Sequence, residues 1–338
     1  MKKTIYIATV IILFVIIWSC ETDITVDLPT PQKKLVVEGF IESNNNPYVF
    51  LTKNSGYFDP VDSTSLYKML ILDSTTIPML EQIGFSQTEI ELFEFAEELI
   101  ITVTELETSI IDTLKPSIIP YFPFFGYVAS SMTGNNNNSY KLDINYNGSH
   151  YFGTTTIPEP VPIDSIWFTT DTAYADTLGT IGIRFIDPPQ IGNFYAIHNM
   201  VEGEHLTFLK PYFGISIIDD RYLNGDTLKF TGITKAQDNN DFFEGEFDPE
   251  ADWWAEGLFS LNSIVNIRLS TIDTEHFLFW NSWSRHLATD GNPFVNPASI
   301  MSNLHGENVL GVWGGYGTYI ERVHITDSAT LEILSNKH

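Results

Sequence analysis

Residues 139–166 read SYKLDINYNGSHYFGTTTIPEPVPIDSI, and the fold class follows from how this stretch alternates and where the alternation stops. Tyr140, Leu142, Ile144 and Tyr146 are apolar, while Lys141, Asp143 and Asn145 between them are polar. A period of two collects the apolar set on one face of a strand, so one face is dry and the other wet. Asn147-Gly148 then supplies two residues that tolerate positive φ, as a tight type I′ turn requires. The spacing predicts a β-hairpin. After it, Ile157-Pro158-Glu159-Pro160-Val161-Pro162 alternates three prolines, which favours a stiff extended connector and marks the expected domain boundary.

Working outward, Leu35-Val36-Val37-Glu38-Gly39-Phe40-Ile41 and Tyr48-Val49-Phe50-Leu51-Thr52 flank an Asn44-Asn45-Asn46-Pro47 turn and read as a second hairpin. Ser86 and Glu89 have capping-box spacing, with Ile90, Phe93, Ala96, Glu97 and Ile100 behind them. A helix is therefore expected near 86–99, within a helical insertion near 66–100. Pro116, Pro120 and Pro123 interrupt regular structure, and Asn135–Asn138 marks an exposed loop. Beyond the proline run, strands are expected at Ile163–Phe168, Ile181–Ile186, Phe194–Val201, Leu206–Leu209, Thr227–Phe230 and Ile264–Ile272. Asn224-Gly225 is a further turn. A helix is expected from Thr274 to about Ala288, packed on its sheet. Short strands punctuated by Gly, Pro and Asn make the chain mainly β. The expectation is two β-sandwich-like domains, 34–159 and 160–338, with the short helical insertion in the first and a helix in the second.

The N-terminus carries a different signal. Lys2 and Lys3 precede the apolar run Ile5–Trp18, which suits a signal-peptide core and is shorter than the roughly 20 residues a membrane span needs. Ile17-Trp18-Ser19-Cys20 has the order of a bacterial lipobox: aliphatic, loose, small, cysteine. Residues 1–19 are thus expected to be a lipoprotein signal peptide, Cys20 the lipid attachment site, and 20–33 an acidic tether. Each buried methylene contributes about 0.8 kcal/mol, so two or three acyl chains anchor durably where one would not. Cys20 is the sole cysteine, so no intramolecular disulfide forms.

The chain has 17 Lys and Arg against 43 Asp and Glu, a net charge of −26 that disfavours nucleic acid as a partner. The eight histidines follow no zinc spacing, and the Glu202–His205 stretch reads as a polar turn between strands. Nucleophile-elbow, P-loop and dinucleotide motifs are absent, and no cofactor is expected. Gly311, Gly314, Gly315 and Gly317 fail phosphate-loop spacing and are expected where a side chain would clash. The stretch DNNDFFEGEFDPEADWW (238–254) crowds carboxylates, with Asp238, Asp241 and Glu244 as calcium candidates. Phe242 breaks EF-hand spacing, so a solvated acidic loop is the default and no metal is assigned. Trp253 and Trp254, adjacent in this acidic setting, are candidate ligand or partner contacts.

Together several pieces resemble a domain-of-unknown-function family of Bacteroidota outer-membrane lipoproteins, typically encoded beside SusC-like TonB-dependent receptors. They are the lipobox cysteine with its acidic tether, LVVEGFI (35–41), the stretch 139–166, DPPQIGNFYAI (187–197) and NPFVNPASIMSNLHGENVLGVWGGYG (292–317). The resemblance implies a lipid-anchored outer-membrane accessory protein facing the cell exterior, partnered by a TonB-dependent receptor and not an enzyme. It carries over no catalytic residue, only Cys20. Glu21 and Asp23 fit the export signals that move some such lipoproteins outward. The alternative function is a structural or assembly subunit of an outer-membrane complex with no small ligand.

Overall fold

The computed structural model describes residues 32–54, 67–118, 125–174, 177–205, 207–210, 216–221, 225–236, 252–289, 299–326 and 331–334. In chain order the first strands are β1 (Leu35–Glu42), β2 (Tyr48–Lys53), β3 (Ile71–Asp73), β4 (Glu94–Ala96), β5 (Leu99–Glu105), β6 (Ile111–Thr113) and β7 (Lys115–Ile118). Then come β8 (Phe125–Val128), β9 (Ser139–Tyr146), β10 (Ser149–Thr156), β11 (Ile163–Thr170), β12 (Leu178–Ile186), β13 (Phe194–Val201) and β14 (Ile217–Asp219). The last are β15 (Thr227–Ile233), β16 (Phe259–Ser260), β17 (Ile264–Ile272), β18 (Leu304–His305), β19 (Val309–Ile325) and β20 (Leu331–Ile333). Helices α1 (Ile77–Gln82), α2 (Gln87–Ile90), α3 (Trp253–Glu256) and α4 (Thr274–Thr289) intervene.

The molecule is mainly β and sandwich-like. A nine-stranded sheet runs β14-β13-β17-β19-β1-β2-β8-β7, with β20 beside β19. One face of it is covered by two smaller sheets. The five-stranded sheet β18-β10-β9-β5-β6 closes a core of Val37, Val49, Ile101, Val103, Tyr140, Leu142, Ile144 and Trp313. The four-stranded sheet of β11, β12, β15 and β16 closes another, of Ile181, Ile183, Phe185, Tyr195, Ile197, Val265, Ile267, Leu269 and Val323. Strand β19 belongs to both. Its first half pairs in parallel with β1, and Tyr316–His324 pair antiparallel with β17. Residues 33–338 accordingly form one compact unit in which the two layers share a sheet, and Leu304, Val309 and Trp313 join the first core from the far end of the chain.

The proline run crosses from one layer to the other over a groove that only glycine leaves open. A Cβ on Gly315 would lie 2.5 Å from the Thr156 carbonyl oxygen, and one on Gly317 only 2.0 Å from that of Pro158. On the opposite face a Cβ on Gly314 would meet the His276 ring at 2.5 Å. The glycines of the 311–317 stretch thus allow backbone and helix to approach β19 closely from both sides.

Local expectations fare unevenly. The 139–156 hairpin forms with Tyr146 opposite Ser149, and Asn147 and Gly148 sit at φ 47 and 79. The β1–β2 hairpin forms, β17 has the expected bounds, and α4 runs one residue past the expected end. The helix expected over 86–99 is corrected. Its capping box is present, with Glu89 N donating to Ser86 Oγ and Ser86 N to the Glu89 carboxylate, but the helix ends at Ile90. Glu94–Ala96 instead pairs with β3, and the β-branched run Ile100–Thr104 joins β9, because strand pairing buries Ile101 and Val103. Leu80, Ile90, Phe93 and Phe125 make a small core of the insertion's own. The strand expected at Leu206–Leu209 reduces to an isolated bridge between Leu209 and Asn199, with Leu206 outside the described residues.

Candidate functional site

The far face of the nine-stranded sheet, the one turned away from the two sandwich cores, carries α4 and a cluster of polar groups. Strand alternation delivers them. Glu38, Phe40 and Glu42 on β1 stand opposite Val312, Gly314 and Tyr316 on β19, while His198 on β13 stands opposite Arg268 on β17. Helix α4 lays Phe277 and Phe279 on the same face, with the Phe194 and Phe277 rings stacked at 4.4 Å. It also brings down His276 and Trp280. Asp273 receives the His276 N–H at 2.8 Å and the Thr156 N–H at 3.2 Å, which ties the start of α4 to the end of β10.

Tyr316 is the hub. Its ring lies 4.7 Å from His276, 5.4 Å from Phe40 and 5.9 Å from His198. The Arg268 guanidinium lies 5.2 Å over the Tyr316 ring and 4.9 Å over that of Phe208, and it reaches Glu42 at 3.3 Å. Lys210, on the segment following β13, seats its ammonium 3.2 Å from the centre of the Trp280 ring. Phe40 stacks near-parallel to the same indole at 6.4 Å.

Burial sets the electrostatics of the two histidines. Burial holds the His276 imidazole down at about 3, helped by the nearby charges of Lys210 and Arg268. His198 is pushed well below its ordinary range by burial and then by Arg268, so both rings are neutral at pH 7. Burial pushes the Tyr316 hydroxyl up. The Glu38 carboxyl is raised by burial against the opposing pull of Lys210, and burial lowers Lys210 to about 8 against the pull of Glu38. The Glu38 side chain is exposed to solvent at the border of this cluster, here called the recess. His198 Nδ1, both ring nitrogens of His276, Arg268 Nε and Trp280 Nε1 are buried without a hydrogen-bond partner. The Trp280 indole N–H lies near the Tyr316 hydroxyl without closing a hydrogen bond. Since more than nine in ten buried polar groups are satisfied in folded proteins, so many orphans on one face of one sheet single it out.

None of the sequence-derived candidates lies in this recess. Cys20, Asp238, Asp241 and Glu244 fall outside the described residues, as does the side chain of Trp253. Trp254 is exposed, but its indole N–H donates to Asp171 at 2.9 Å and so fastens α3 to the β11–β12 turn. Among the described residues no group of three or more His, Cys, Asp and Glu is arranged to hold a metal ion. Val201 N donates to His205 Nδ1 within the 202–205 turn, while Glu202 accepts from Arg322 and Asn266 and Glu204 pairs with Lys235, so its polar groups are spent on structure. A concavity of about 420 Å³ gathers Lys33, Lys34, Lys53, Tyr146, Tyr151 and Glu307 at the N-terminal edge of the folded unit.

The signal that could have found the recess is a charged residue inside a hydrophobic strand. Glu38 interrupts LVVEGFIE, His198 interrupts FYAIHNMV and Arg268 interrupts IVNIRLSTI. Burying such groups is unfavourable unless something pairs with them.

The family model described as Domain of unknown function (DUF4249) matches residues 21–322. The chain belongs to this family. No curated protein matches it. Glu38, His198, Lys210, Arg268, His276, Trp280 and Tyr316 all fall within the span that defines DUF4249, so the recess is built from the family's own domain.

Proposed function

We propose that this DUF4249 protein is a lipid-anchored outer-membrane binding protein that captures a small solute for a TonB-dependent receptor, by non-covalent contacts and without catalysis. The observation that carries the reading is the cluster on the far sheet face: opposed charges and orphaned polar atoms set among aromatic rings. Such a constellation suits reversible capture, because its polar groups regain partners when a solute enters. Two features of the chain support the placement. The lipobox ending at Cys20 would tether the folded unit to a bilayer through residues 20–33, raising its effective concentration beside a membrane partner. Lys33, Lys34 and Lys53 cluster where that tether meets the folded unit, a favourable arrangement beside anionic headgroups.

The decisive experiment is affinity capture of the tagged full-length protein from detergent-solubilised outer membranes. A receptor barrel in near-stoichiometric amount is expected, and recovery of the lipoprotein alone would overturn the partnership. Anchoring is read separately by fatty-acid labelling. The native chain should take up label and sediment with membranes, whereas Cys20→Ser should do neither.

A further inference from the structure

The concavity of about 420 Å³ at the N-terminal edge is bounded by both layers of the first sandwich. On one side are strand ends of the nine-stranded sheet. Leu35 opens β1 opposite Val309 of β19 and opposite Lys53 of β2, which brings Lys34, Lys53 and Asn308 to one lip. On the other side is the β9–β10 hairpin, with Tyr146 and Ser149 flanking its turn and the buried Tyr151 just beyond. Backbone bonds fix the lip. Lys34 N donates to the Asn54 side-chain oxygen at 2.5 Å, Asn54 N to the Lys34 carbonyl at 3.2 Å, and Leu35 N to the Asn308 carbonyl at 2.9 Å.

Charge sets this place apart. Lys2 and Lys3 aside, the chain has 15 Lys and Arg, and three of them line this one cavity against a single carboxylate, Glu307. Lys53 is paired with Glu94 and held 5.9 Å over the Tyr146 ring. Lys33 and Lys34 are exposed, and among the described residues their ammonium groups meet no carboxylate, in a chain with 43 acids. Ammonium groups beside the hydroxyls of Tyr146, Ser149 and Tyr151 make a set of donors that suits the several oxygens of a phosphate.

The position of the cavity names the source of that phosphate. It lies at Lys33, where the chain coming from Cys20 enters the folded unit, 13 residues from the expected acyl chains. Those residues span at most about 45 Å when extended and about 20 Å on average as a flexible chain. A molecule of net charge −26 is repelled as a whole by an anionic surface, so only a locally basic face can approach within the screening length of about 8 Å. Here the basic face and the tether coincide.

We infer that the concavity seats the phosphate of an anionic lipid headgroup on Lys33, Lys34 and Lys53, turning this end of the first sandwich toward the bilayer. The inference rests on the Cys20 anchor proposed above and adds the orientation of the folded unit upon it.

The test places the full-length lipoprotein in nanodiscs of phosphatidylcholine alone, or of phosphatidylcholine and phosphatidylglycerol in equal parts. Lysines are acetylated with uncharged acetic anhydride and their rates followed by mass spectrometry. Lys33 and Lys34 should react about fivefold more slowly in the mixed discs, as the attraction of one lysine to an anionic surface gives. Lys229, on the four-stranded sheet, should keep its rate. Lys34→Gln should return Lys33 toward its rate in phosphatidylcholine, Lys34→Arg should not, and Glu307→Gln should slow both lysines further. Melting curves confirm that each variant is folded. Equal rates in the two discs, equal slowing of Lys229, or slowing already complete without phosphatidylglycerol overturns the inference. Inorganic phosphate that slows Lys33 and Lys34 as much in phosphatidylcholine discs would assign the cavity to a dissolved anion and overturn the headgroup. A chain that fails to enter the discs loses both the anchor and the seat, whereas one that enters without slowing loses the seat alone.

Discussion

The two faces of the nine-stranded sheet are made by alternate residues of the same strands, yet most of the buried polar atoms without a partner gather on one of them, Thr271 Oγ1 on the sandwich side being the exception. On the sandwich side, Asn199 is fully buried, and its amide donates to the Thr234 carbonyl while accepting from Ala236 N. One residue earlier, on the other side, His198 is equally enclosed with an orphaned Nδ1. Carboxylates divide likewise. Glu105, at the edge of the first core, accepts from Thr108, Asn138, Asn135 and Tyr140, and those bonds, Thr108's first, hold it down at about 2. Glu38, on the recess face, has no such donors and is raised by burial. Where the chain completes its own hydrogen bonds, the polar group is architecture. Where it leaves them open, the fold bears a cost that its own contacts do not offset.

That contrast can be broken most forcefully in the sandwich. Trp313 is fully buried in the first core and donates its indole N–H to the Tyr140 carbonyl. Trp313→Ala should lower stability by about 3 to 5 kcal/mol in urea unfolding, through lost burial and a large cavity. Asn199→Leu should cost about 2 kcal/mol, because the Thr234 carbonyl and Ala236 N–H lose their partner inside the core. A loss below about 0.5 kcal/mol would mean that satisfied polar groups on this face are dispensable.

Acid titration separates the two carboxylates by sign. Glu105 titrates lower in the fold than its ordinary 4.5, so its contribution is complete above that range and disappears as pH falls toward about 2. Glu105→Gln should cost about 2 kcal/mol at pH 7, a deficit that narrows on acidification as the native carboxylate protonates. Glu38 is shifted the other way, so its ionised form opposes folding, and that opposition is relieved as pH falls through its raised pKa. Melting curves of Glu38→Gln should therefore match the parent or exceed it at pH 7. The smallest effect is expected at His198. His198→Phe, which removes an orphaned imidazole nitrogen, should change stability by less than about 1 kcal/mol. A large loss there would show that the ring has a structural partner after all.

Much of the fold was legible because it is local. The Tyr140–Tyr146 alternation, the Asn147-Gly148 turn and the β-branched Ile264–Ile272 strand each declare themselves within a dozen residues. The helix over 86–99 misled because its capping box is real, while the continuation was decided by distant strands competing for Ile101 and Val103. The joining of the two layers was hidden for the same reason. Pairing β1 with β19 links Leu35 to Val309, a relation no window contains. The recess is assembled from six such separated segments, and its trace in the sequence is limited to an acid, a histidine and an arginine placed where hydrophobic residues belong.

The sharing of β19 makes the molecule a natural split pair. A single cut within the Pro158–Pro162 crossing would leave an N-terminal piece whose core still lacks Trp313 and Leu304, and a C-terminal piece carrying them exposed. Each fragment would then hold the missing half of the other's interior, and the two would reassociate rather than drift apart as independent modules.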